Sequence, residues 1–535
     1  MIRIAFFGPP GSGKSTLAKE IAKRLRRRIL EASETVIVPL ASLKRFPKKE
    51  RLFELLKNRA QGRSKKNHAV TREEAMRLFS TIKSTYAPDA IAEALHEIVN
   101  GRNDACVILS GLRGLENARY CRLHNDFVVY LTASKEELVR RLCDDRGYTK
   151  QHAKTELGKE QEMYKTTKIK EVADLVINTS TSNIRQATHV LITAIIRRYQ
   201  MCKRCVNSGK NPAITFDKSG YCNICNAFLK KYDPTQLKKE LGFLNTFKGT
   251  GKGVHDVLVG ISGGKDSTAT LFTINRMGFT PLAVTFNLGY LPATTIPRAK
   301  ATAKLLNTDH EVIDIRGYIR KIDVESYKKT VKLYEEPFTL ETKKKFQKAY
   351  AVGRTHYSVR CTHSPIFVRS CQLCRRMVIR AYYAETLKRG ARAIVLGINE
   401  WTNLSAAQEG KRYKVSGVRK LQPTKNKPAV FVFHLPFLLQ RTSKETKKIL
   451  EKIGWTPPKG EDFIESNSNS CLYARSTERM AKRLLEFHPD STRLAREVTV
   501  GFITKKQALA ALGKIHPYKY TPRQVLERAK VLNPE

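Results

Sequence analysis

Residues 257–268 read VLVGISGGKDST, and this stretch decides the fold of the larger part of the chain. The apolar run at 257–261 predicts a buried strand, and the residues after the two glycines predict the start of a helix. A glycine-rich turn between a strand and a helix directs its backbone N–H groups at an anion. The residues expected to line this phosphate nest are Ser262, Gly263, Gly264 and Ser267. Lys265 and Asp266 would position pyrophosphate and a metal ion beside it.

Strand-like and helix-like segments alternate on both sides of this loop, which is typical of α/β domains with a parallel sheet. Towards the C-terminus, strands are predicted at 257–261, 282–286, 311–315, 393–396 and 430–433, and a helix at 375–389. Towards the N-terminus, strands are predicted at 2–7, 36–40, 105–109 and 127–132, and helices at about 15–28, 71–82 and 135–142. Ligands collect at the carboxyl ends of such strands. Gly397, which follows the run at 393–396, is therefore a candidate binding residue.

A second glycine-rich turn, GPPGSGKS at residues 8–15, follows the first apolar run and matches the pattern GxxxxGK[ST]. Its glycines permit a turn whose N–H groups converge on a β-phosphate, while the lysine reaches the β and γ oxygens. The serine at the helix N-terminus can hold Mg²⁺. The residues expected to bind ATP and Mg²⁺ here are Gly8, Gly11, Gly13, Lys14, Ser15 and Thr16.

Four of the eleven cysteines have the spacing of a structural zinc site. Cys202 and Cys205 form one CxxC pair, and Cys222 and Cys225 form a second pair sixteen residues later. Two such knuckles present four thiolates tetrahedrally and leave no open coordination position. We therefore expect bound Zn²⁺ that stabilises the fold and takes no part in catalysis.

Three further cysteines allow two interpretations. Cys371 and Cys374 form a CxxC pair just before the helix predicted at 375–389, and Cys471 follows a polar run nearly a hundred residues later. If the three thiolates converge, they could hold a 4Fe-4S cluster with one iron open to an exogenous ligand. Otherwise they are buried or zinc-binding cysteines. Cys361 could complete a site, act as a nucleophile or simply pack.

The charge of the chain points to a polyanionic partner. Lysine and arginine number 98 against 49 acidic residues, a net charge of +49, which is out of proportion to a small metabolite. The candidate contact stretches are 23–28, 343–350 with Phe346 and Tyr350, 411–414 with Tyr413, 419–420 and 425–427. The sequence lacks an apolar run of membrane-spanning length or a signal peptide, and its paired cysteines suit a reducing compartment. We expect a cytoplasmic protein.

The N-terminal segment resembles the dephospho-CoA kinase and nucleoside monophosphate kinase group. The stretch ILSGLR at 108–113 is similar to the strand-end motif of those kinases, and ADLVIN at 173–178 to the last strand. The resemblance implies that Arg113, with Arg141 and Arg146, neutralises charge on a transferred phosphoryl group. Ser110 stands where those kinases usually have a metal-ordering aspartate.

The remainder resembles PP-loop ATP pyrophosphatases, and within them the N-acetyl sugar amidotransferase family. The similar stretches are CKRCV at 202–206, ITFD at 214–217, GYCNIC at 220–225, the loop at 262–267, PLAVTF at 281–286, LAREV at 494–498 and GFITKKQA at 501–508. The resemblance implies cleavage of ATP between its α and β phosphates, with Thr285 and Asn287 facing the adenosine. The chain is also similar to iron–sulfur-dependent tRNA thiouridine synthetases, although it lacks their second zinc knuckle.

These patterns predict two parallel-sheet nucleotide-binding domains, one P-loop kinase-like and one PP-loop (HUP-like). The expected boundaries are the kinase-like domain at 1–200, the zinc knuckle at 201–228, a linker at 229–253, the PP-loop domain at 254–460 and a helical region at 461–535. The main hypothesis is a bifunctional enzyme that modifies a base in tRNA or, less favoured, DNA. One alternative is an amidotransferase acting on a nucleotide sugar, and a second alternative is a nucleic-acid-binding ATPase or scaffold. The base-modifying enzyme or the amidotransferase would have a glutaminase or a sulfur-carrier protein as a partner.

Overall fold

The computed structural model describes residues 2–41, 43, 45–60, 70–100, 104–355, 363–402, 415–457, 462–466, 469–516 and 518–533. Cys361 and the basic stretch at 411–414 with Tyr413 lie outside these residues. The chain divides into two compact units, Met1–Arg198 and Tyr199–Glu535. In the part of the chain that the structure describes, no helix has the length and apolar character needed to cross a bilayer.

The first unit is an α/β fold around a parallel sheet. Its strands are β1 (Ile2–Phe7), β2 (Arg28–Glu31), β3 (Cys106–Ser110), β4 (Phe127–Thr132) and β5 (Leu175–Asn178). They pair in parallel in the order β2-β3-β1-β4-β5. The helices are α1 (Lys14–Leu25), α2 (Val38–Ala41), α3 (Lys49–Ala60), α4 (Arg72–Thr85), α5 (Ala90–Asn100), α6 (Leu115–Leu123), α7 (Lys135–Arg146), α8 (Lys150–Tyr164) and α9 (Ile184–Tyr199), with a π-helix at Ser33–Ile37 and a 3-10 helix at Thr166–Glu171.

The strand predicted at 36–40 was wrong, because these residues are helical. The apolar side chains of Val36, Ile37 and Leu40 are buried. Residues three and four positions apart lie on the same side of a helix, so a helix buries them together. The second strand is instead β2, which begins and ends with a charged residue and has only Leu30 fully buried. The helix predicted at about 15–28 accordingly ends earlier, at Leu25. Because β2 was misplaced, Glu31 at its carboxyl end was not predicted as a site residue.

The second unit is built on a mixed sheet. Its strands are β6 (Val257–Gly260), β7 (Pro281–Asn287), β8 (His310–Asp314), β9 (Ala393–Leu396), β10 (Val418–Leu421) and β11 (Val430–His434). The order is β10-β11-β9-β6-β7-β8, and every neighbouring pair is parallel except β10 with β11. Alternate residues of β6 enter two separate cores, Leu258 on one face and Val257 with Val259 on the other. The sheet is therefore covered on both faces, as parallel sheets usually are.

The helices of the second unit cover this sheet and form the C-terminal region. They are α10 (Asn223–Lys231), α11 (Pro234–Asn245), α12 (Lys265–Arg276), α13 (Thr295–Leu305), α14 (Lys321–Glu335), α15 (Leu340–Thr355), α16 (Ser370–Lys388), α17 (Leu435–Leu438), α18 (Ser443–Lys452), α19 (Leu472–Leu485), α20 (Ser491–Thr499), α21 (Lys505–Gly513) and α22 (Pro522–Arg528), with a 3-10 helix at Arg316–Tyr318.

The linker predicted at 229–253 was wrong, because most of it is helical and packed. Helix α11 buries Leu237 and Leu244 in the core of the second unit. Its Glu240 is also buried and accepts hydrogen bonds from the Ser416 hydroxyl at 2.6 Å and the Gly417 N–H at 2.8 Å. The polar composition of the segment belongs to the exposed side of an amphipathic helix.

The basic stretch at 343–350 is only partly exposed, since Lys344, Lys345 and Lys348 lie on the surface and Lys343 does not. Phe346 and Tyr350 are buried, and Lys343, only 1% exposed, pairs at 2.9 Å with Glu486. Lys344, the next residue, is exposed. A buried lysine with a buried partner is a structural ion pair, so Lys343 is removed from the candidate nucleic-acid contacts.

We expect Lys343→Ala to lower the free energy of unfolding by roughly 3–5 kcal/mol, because it leaves Glu486 buried without its partner. The matched change Lys344→Ala removes an exposed charge and should alter stability by less than about 0.5 kcal/mol. Urea unfolding of both variants followed by circular dichroism makes the comparison. Equal stabilities of the two variants would show that the pair contributes nothing.

Candidate functional site

The N-terminal phosphate loop has the geometry that its motif predicts. Gly8, Gly11 and Gly13 all have positive φ angles, which glycine adopts without strain. A Cβ at Gly8 would collide with the carbonyl oxygen of Leu131. The Lys14 ammonium donates to the carbonyl oxygens of Gly8 and Pro9, each at 2.7 Å.

This loop opens into a cavity of about 880 Å³ that Lys14, Ser15 and Thr16 line. The predicted arginines Arg113, Arg141 and Arg146 line the same cavity. Arg113 forms an ion pair with the buried carboxylate of Glu160, and Arg141 donates to the Gly11 carbonyl oxygen at 3.1 Å. The structure thus brings the three arginines and the phosphate loop together around one cavity.

A carboxylate from the neighbouring strand, that of Glu31, lies beside the position of Ser110. Ser110 is fully buried, and among the described residues its hydroxyl has no hydrogen-bond partner. Glu31 lines the cavity beside it, and a Cβ at Gly111 would lie 2.5 Å from the Glu31 Oε1 atom. Sequence reasoning missed Glu31 because β2 was predicted at the wrong place.

The second phosphate loop joins β6 to α12, as predicted. The Ser267 hydroxyl accepts from the Ser262 N–H at 3.2 Å and donates to the Gly264 carbonyl oxygen at 3.1 Å. Gly263 has φ 68°, and a Cβ there would lie 2.6 Å from Arg298 Cβ. The Gly263 carbonyl oxygen accepts from Arg298 and from the Trp455 indole, each at 3.0 Å. The turn is therefore held from several sides with no room for a larger residue.

Lys265 and Asp266 begin helix α12 directly beside this turn. Their side chains form an ion pair with each other. The Lys265 ammonium also lies 5.4 Å from the ring centre of Phe463 and 5.3 Å from that of Phe502, within the range of cation–π contacts. The Asp266 Oδ1 atom is buried and has no hydrogen-bond partner within the described ranges. This carboxylate oxygen is available to a metal ion or another donor.

A cavity of about 450 Å³ lies over the turn and contains both side chains. Gly397 also lines it, and a Cβ at Gly397 would lie 2.7 Å from the Asp266 carbonyl oxygen, so the glycine lets β9 approach α12 closely. Thr285 is buried, and its hydroxyl donates to the Ile261 carbonyl oxygen at 2.9 Å. The Asn287 side chain accepts from the Gly289 N–H at 2.8 Å. Thr285 and Asn287 were predicted to face the adenosine. Along β7, however, Val284 and Phe286 line the cavity instead of these two residues.

The three remaining described cysteines of this unit line a neighbouring cavity of about 440 Å³. Cys371 and Cys374 lie in the first turn of α16 and not before the helix, because α16 begins at Ser370. Cys471 is the N-cap of α19 and accepts a hydrogen bond from the Ala474 N–H. Burial raises the pKa of all three thiols, that of Cys374 to about 12. We call this space the cysteine cavity.

The cysteine cavity adjoins the cavity over the phosphate turn. The residues that line both are Leu291, Val378, Tyr382, Leu396, Ile398, Ser470 and Arg493. The two spaces therefore share one wall. Sequence spacing could not show this, since the cysteines and the turn are about a hundred or more residues apart.

The four-cysteine group predicted at 202–225 is assembled and fully buried. The Cys202 and Cys225 sulfur atoms lie 3.8 Å apart and those of Cys205 and Cys222 lie 3.6 Å apart. Four thiolates at about 2.3 Å from a tetrahedral ion would be roughly 3.8 Å from each other. The Cys222 N–H donates to Cys202 Sγ at 3.2 Å. The group can hold a metal ion.

The four-cysteine group packs against the helix that reaches the second phosphate site. The Thr499 hydroxyl at the end of α20 lies 3.2 Å from Cys225 Sγ, and Arg204 donates to the Thr499 carbonyl oxygen at 2.7 Å. The same helix carries Arg493, which lines both cavities and donates to Glu497 at 2.5 Å. Burial raises the pKa of Glu497 to about 7, although Arg493 opposes this. Helix α20 therefore links the four-cysteine group to the cavity over the turn.

Comparison with known proteins gives a family match within the first unit and a partial match to one relative. Residues 4–165 match the model of the family described as AAA domain. The uncharacterized protein MJ0690 of Methanocaldococcus jannaschii is 38% identical over 60 residues, which are 11% of this chain and 29% of that protein. This chain thus matches less than a third of that relative.

Solved structures with likeness to the chain include a shikimate kinase from Bacteroides thetaiotaomicron and a gluconokinase from Sinorhizobium meliloti. The former is 16% identical, with 36% of this chain and 98% of that chain covered and a TM-score of 0.23. The latter is also 16% identical, with 37% and 92% covered and a TM-score of 0.23. Taken with the AAA-domain match, the phosphate loop and parallel sheet of the first unit identify it as a P-loop nucleotide-binding domain.

Proposed function

We propose that the unit Tyr199–Glu535 is an ATP pyrophosphatase that adenylates an oxygen atom of an acceptor and exchanges that oxygen for nitrogen or sulfur. The observation that carries the proposal is that two cavities adjoin and share seven lining residues. The phosphate turn at Gly263 and Gly264 opens on one side, and three thiols line the space that adjoins it. Nucleotide activation and group transfer can therefore take place side by side.

The proposed reaction has two steps. In the first, a carbonyl oxygen of the acceptor attacks the α-phosphorus of ATP, the bond to the β-phosphate bridge breaks, and pyrophosphate leaves with the electron pair. In the second, ammonia or a sulfur nucleophile attacks the adenylated carbon, loses a proton, and expels AMP with the former carbonyl oxygen. The backbone N–H groups of the turn and Lys265 stabilise charge on the pyrophosphate.

Asp266 fits the role of a ligand for Mg²⁺. Its Oδ1 atom is buried without a described partner, and carboxylate oxygens are ligands that Mg²⁺ prefers. A bound Mg²⁺ would neutralise charge on the leaving pyrophosphate. Arg441 is buried nearby, its pKa lowered by burial and raised in part by Asp266. The chain itself thus supplies cations on two sides of this carboxylate.

The three thiols of the cysteine cavity fit a 4Fe-4S cluster better than a single ion. Among the described residues, the groups with all ligand atoms within 4.8 Å of one another are the four-cysteine group and His96 with Cys121 and Asp126. The thiols of the cysteine cavity are therefore spaced more widely than in a mononuclear site. Cys371, Cys374 and Cys471 would hold the cluster, which supplies an iron able to bind a sulfur donor. The four-cysteine group, by contrast, has the spacing for structural Zn²⁺.

We favour a nucleic acid, and tRNA in particular, as the acceptor because of the net charge of +49. Exposed basic residues remain at Lys420, Lys425 and Lys427 near β10, and at 23–28 in the first unit. A nucleotide sugar is the second candidate acceptor. It is favoured by the stretches at 202–206, 220–225 and 501–508, which resemble the N-acetyl sugar amidotransferase family. The first unit would phosphorylate a hydroxyl group or prepare a nucleotide precursor, with Glu31 near the metal.

The products of ATP cleavage test this proposal. We expect the Lys14→Ala variant, in which the first phosphate loop is disabled, to release AMP and pyrophosphate from α-labelled ATP when total tRNA or a nucleotide sugar is present. Thin-layer chromatography separates AMP from ADP. Formation of ADP alone by this variant would contradict the proposal.

A further inference from the structure

One basic side chain in the cysteine cavity makes no hydrogen bond with the described residues. Arg375 follows Cys374 directly on α16 and lies one turn after Cys371, so it shares their face of the helix. It is only partly exposed. Within the described ranges it forms neither a hydrogen bond nor an ion pair, and it is not among the residues with further contacts.

The arginines around it are already engaged. Arg493 is bound by Asp490 and Glu497, and Arg369 donates to Thr492 at 3.0 Å. The carboxylate in the wall, Glu400, pairs with Arg496 at 3.2 Å, and against the effect of burial both Arg496 and Arg375 lower the pKa of this carboxyl. Arg375 therefore shares one carboxylate with Arg496 and makes no hydrogen bond among the described residues, so a bound anion would supply the charge-assisted hydrogen bonds that its guanidinium lacks.

A hydrogen-bond acceptor lines the same cavity. His434, at the end of β11, is buried, and its Nδ1 atom lies 2.8 Å from the Glu400 carbonyl oxygen. A carbonyl oxygen only accepts, so Nδ1 carries the proton and Nε2 keeps its lone pair. Burial lowers the pKa of His434 to about 4. Glu400 acts in the opposite direction and raises this pKa, whereas Arg375 and Arg419 also lower it. The imidazole is neutral at pH 7, with Nε2 available to a donor.

We propose that the cysteine cavity binds the acceptor substrate and that Arg375 holds a phosphate oxyanion of that substrate, while His434 Nε2 accepts a hydrogen bond from a neighbouring N–H or O–H group. This inference rests on the proposed function. The planar guanidinium fork matches phosphate bidentately. The phosphate could come from a polynucleotide backbone or from a nucleotide sugar, and both carry hydrogen-bond donors close to a phosphate.

Binding measurements on full-length Lys14→Ala protein test the site. The probes are unfractionated tRNA and uridine diphosphate N-acetylglucosamine, each titrated at fixed salt. We expect one probe to bind, Arg375→Gln to weaken that binding roughly tenfold or more, and Arg375→Lys to keep part of it. The matched control Lys388→Gln removes an exposed charge from the far end of the same helix and should leave binding within about twofold.

Each outcome has one meaning. A selective loss with tRNA assigns a backbone phosphate, and a selective loss with the nucleotide sugar assigns its diphosphate. If Arg375→Gln and Lys388→Gln bind alike, or if neither probe binds the parent protein, the anion site is wrong. Pyrophosphate release is measured in parallel on the parent protein and tests the proposed function separately. If the parent protein releases no pyrophosphate, the proposed function is wrong, independently of the binding results for Arg375→Gln. Melting temperatures within about 2 °C of the parent protein show that the variants are folded.

Discussion

The Asp266→Asn variant, made in the Lys14→Ala background, should release pyrophosphate at least 100-fold more slowly than its parent. The substitution keeps the size of the side chain but removes the charge that would bind Mg²⁺, and loss of a group that stabilises charge in the transition state costs about 10²–10³ in rate. The Asp266 Oδ1 atom is buried and has no hydrogen-bond partner among the described residues, so we expect it to contact the metal ion. Malachite green detection after inorganic pyrophosphatase treatment measures the rate.

The matched control for this experiment is Asp309→Asn. Asp309 belongs to the same unit, is largely exposed and pairs at 2.8 Å with His255 away from the turn. Its variant should keep the parental rate. ATP binding by Asp266→Asn should persist, since the backbone of the turn is unchanged. If Asp266→Asn releases pyrophosphate as fast as the control, Asp266 has no part in the reaction.

We also expect a large loss of stability and of pyrophosphate release when the metal ion is removed from the four-cysteine group. Structural zinc sites contribute about 10 kcal/mol or more to the folding of small zinc domains. Even a loss of about 5 kcal/mol would lower the Tm by roughly 7 °C in a unit of this size. Because Thr499 contacts Cys225 and α20 carries Arg493, pyrophosphate release should be lost with the metal.

Cys222→Ser tests this with Cys106→Ser as the control, since Cys106 lies in the first unit and outside the four-cysteine group. Differential scanning fluorimetry and metal analysis of both proteins give the comparison. We expect Cys222→Ser to purify with less than one equivalent of zinc and with a lower Tm. A Cys222→Ser protein with full zinc content and parental activity would show that the group is not a metal site that supports catalysis.

Local patterns predicted the parts of the fold that depend on local interactions. Both glycine-rich loops, the two CxxC pairs at 202–225 and the strands with long apolar runs, such as 2–7 and 127–132, lie where the sequence places them. Strand β2 was missed because it is an edge strand with charged ends, while the apolar 36–40 run satisfied a strand pattern as well as a helical one. Short apolar runs do not distinguish the two structures.

Features that depend on distant partners could not be predicted. Lys343 in a basic stretch is indistinguishable by sequence from an exposed lysine, because its partner Glu486 is more than a hundred residues away. Helix α11 looks like a linker until Ser416 and Gly417 are seen to bind its Glu240. Likewise, only the structure shows that the Arg375 guanidinium makes no hydrogen bond with the described residues, while the arginines around it do.

The central claim is that the turn at Gly263 and Gly264 grips the two outer phosphates of ATP as a leaving group. A crystal structure of Lys14→Ala protein soaked with Mg²⁺ and α,β-methylene ATP measures this directly. We predict the β and γ phosphates within hydrogen-bond distance of the backbone N–H groups at 263–265, with a metal ion on Asp266 and the α-phosphate facing the cysteine cavity. Density for the nucleotide elsewhere, or an analogue whose phosphates point away from this turn, would contradict the account.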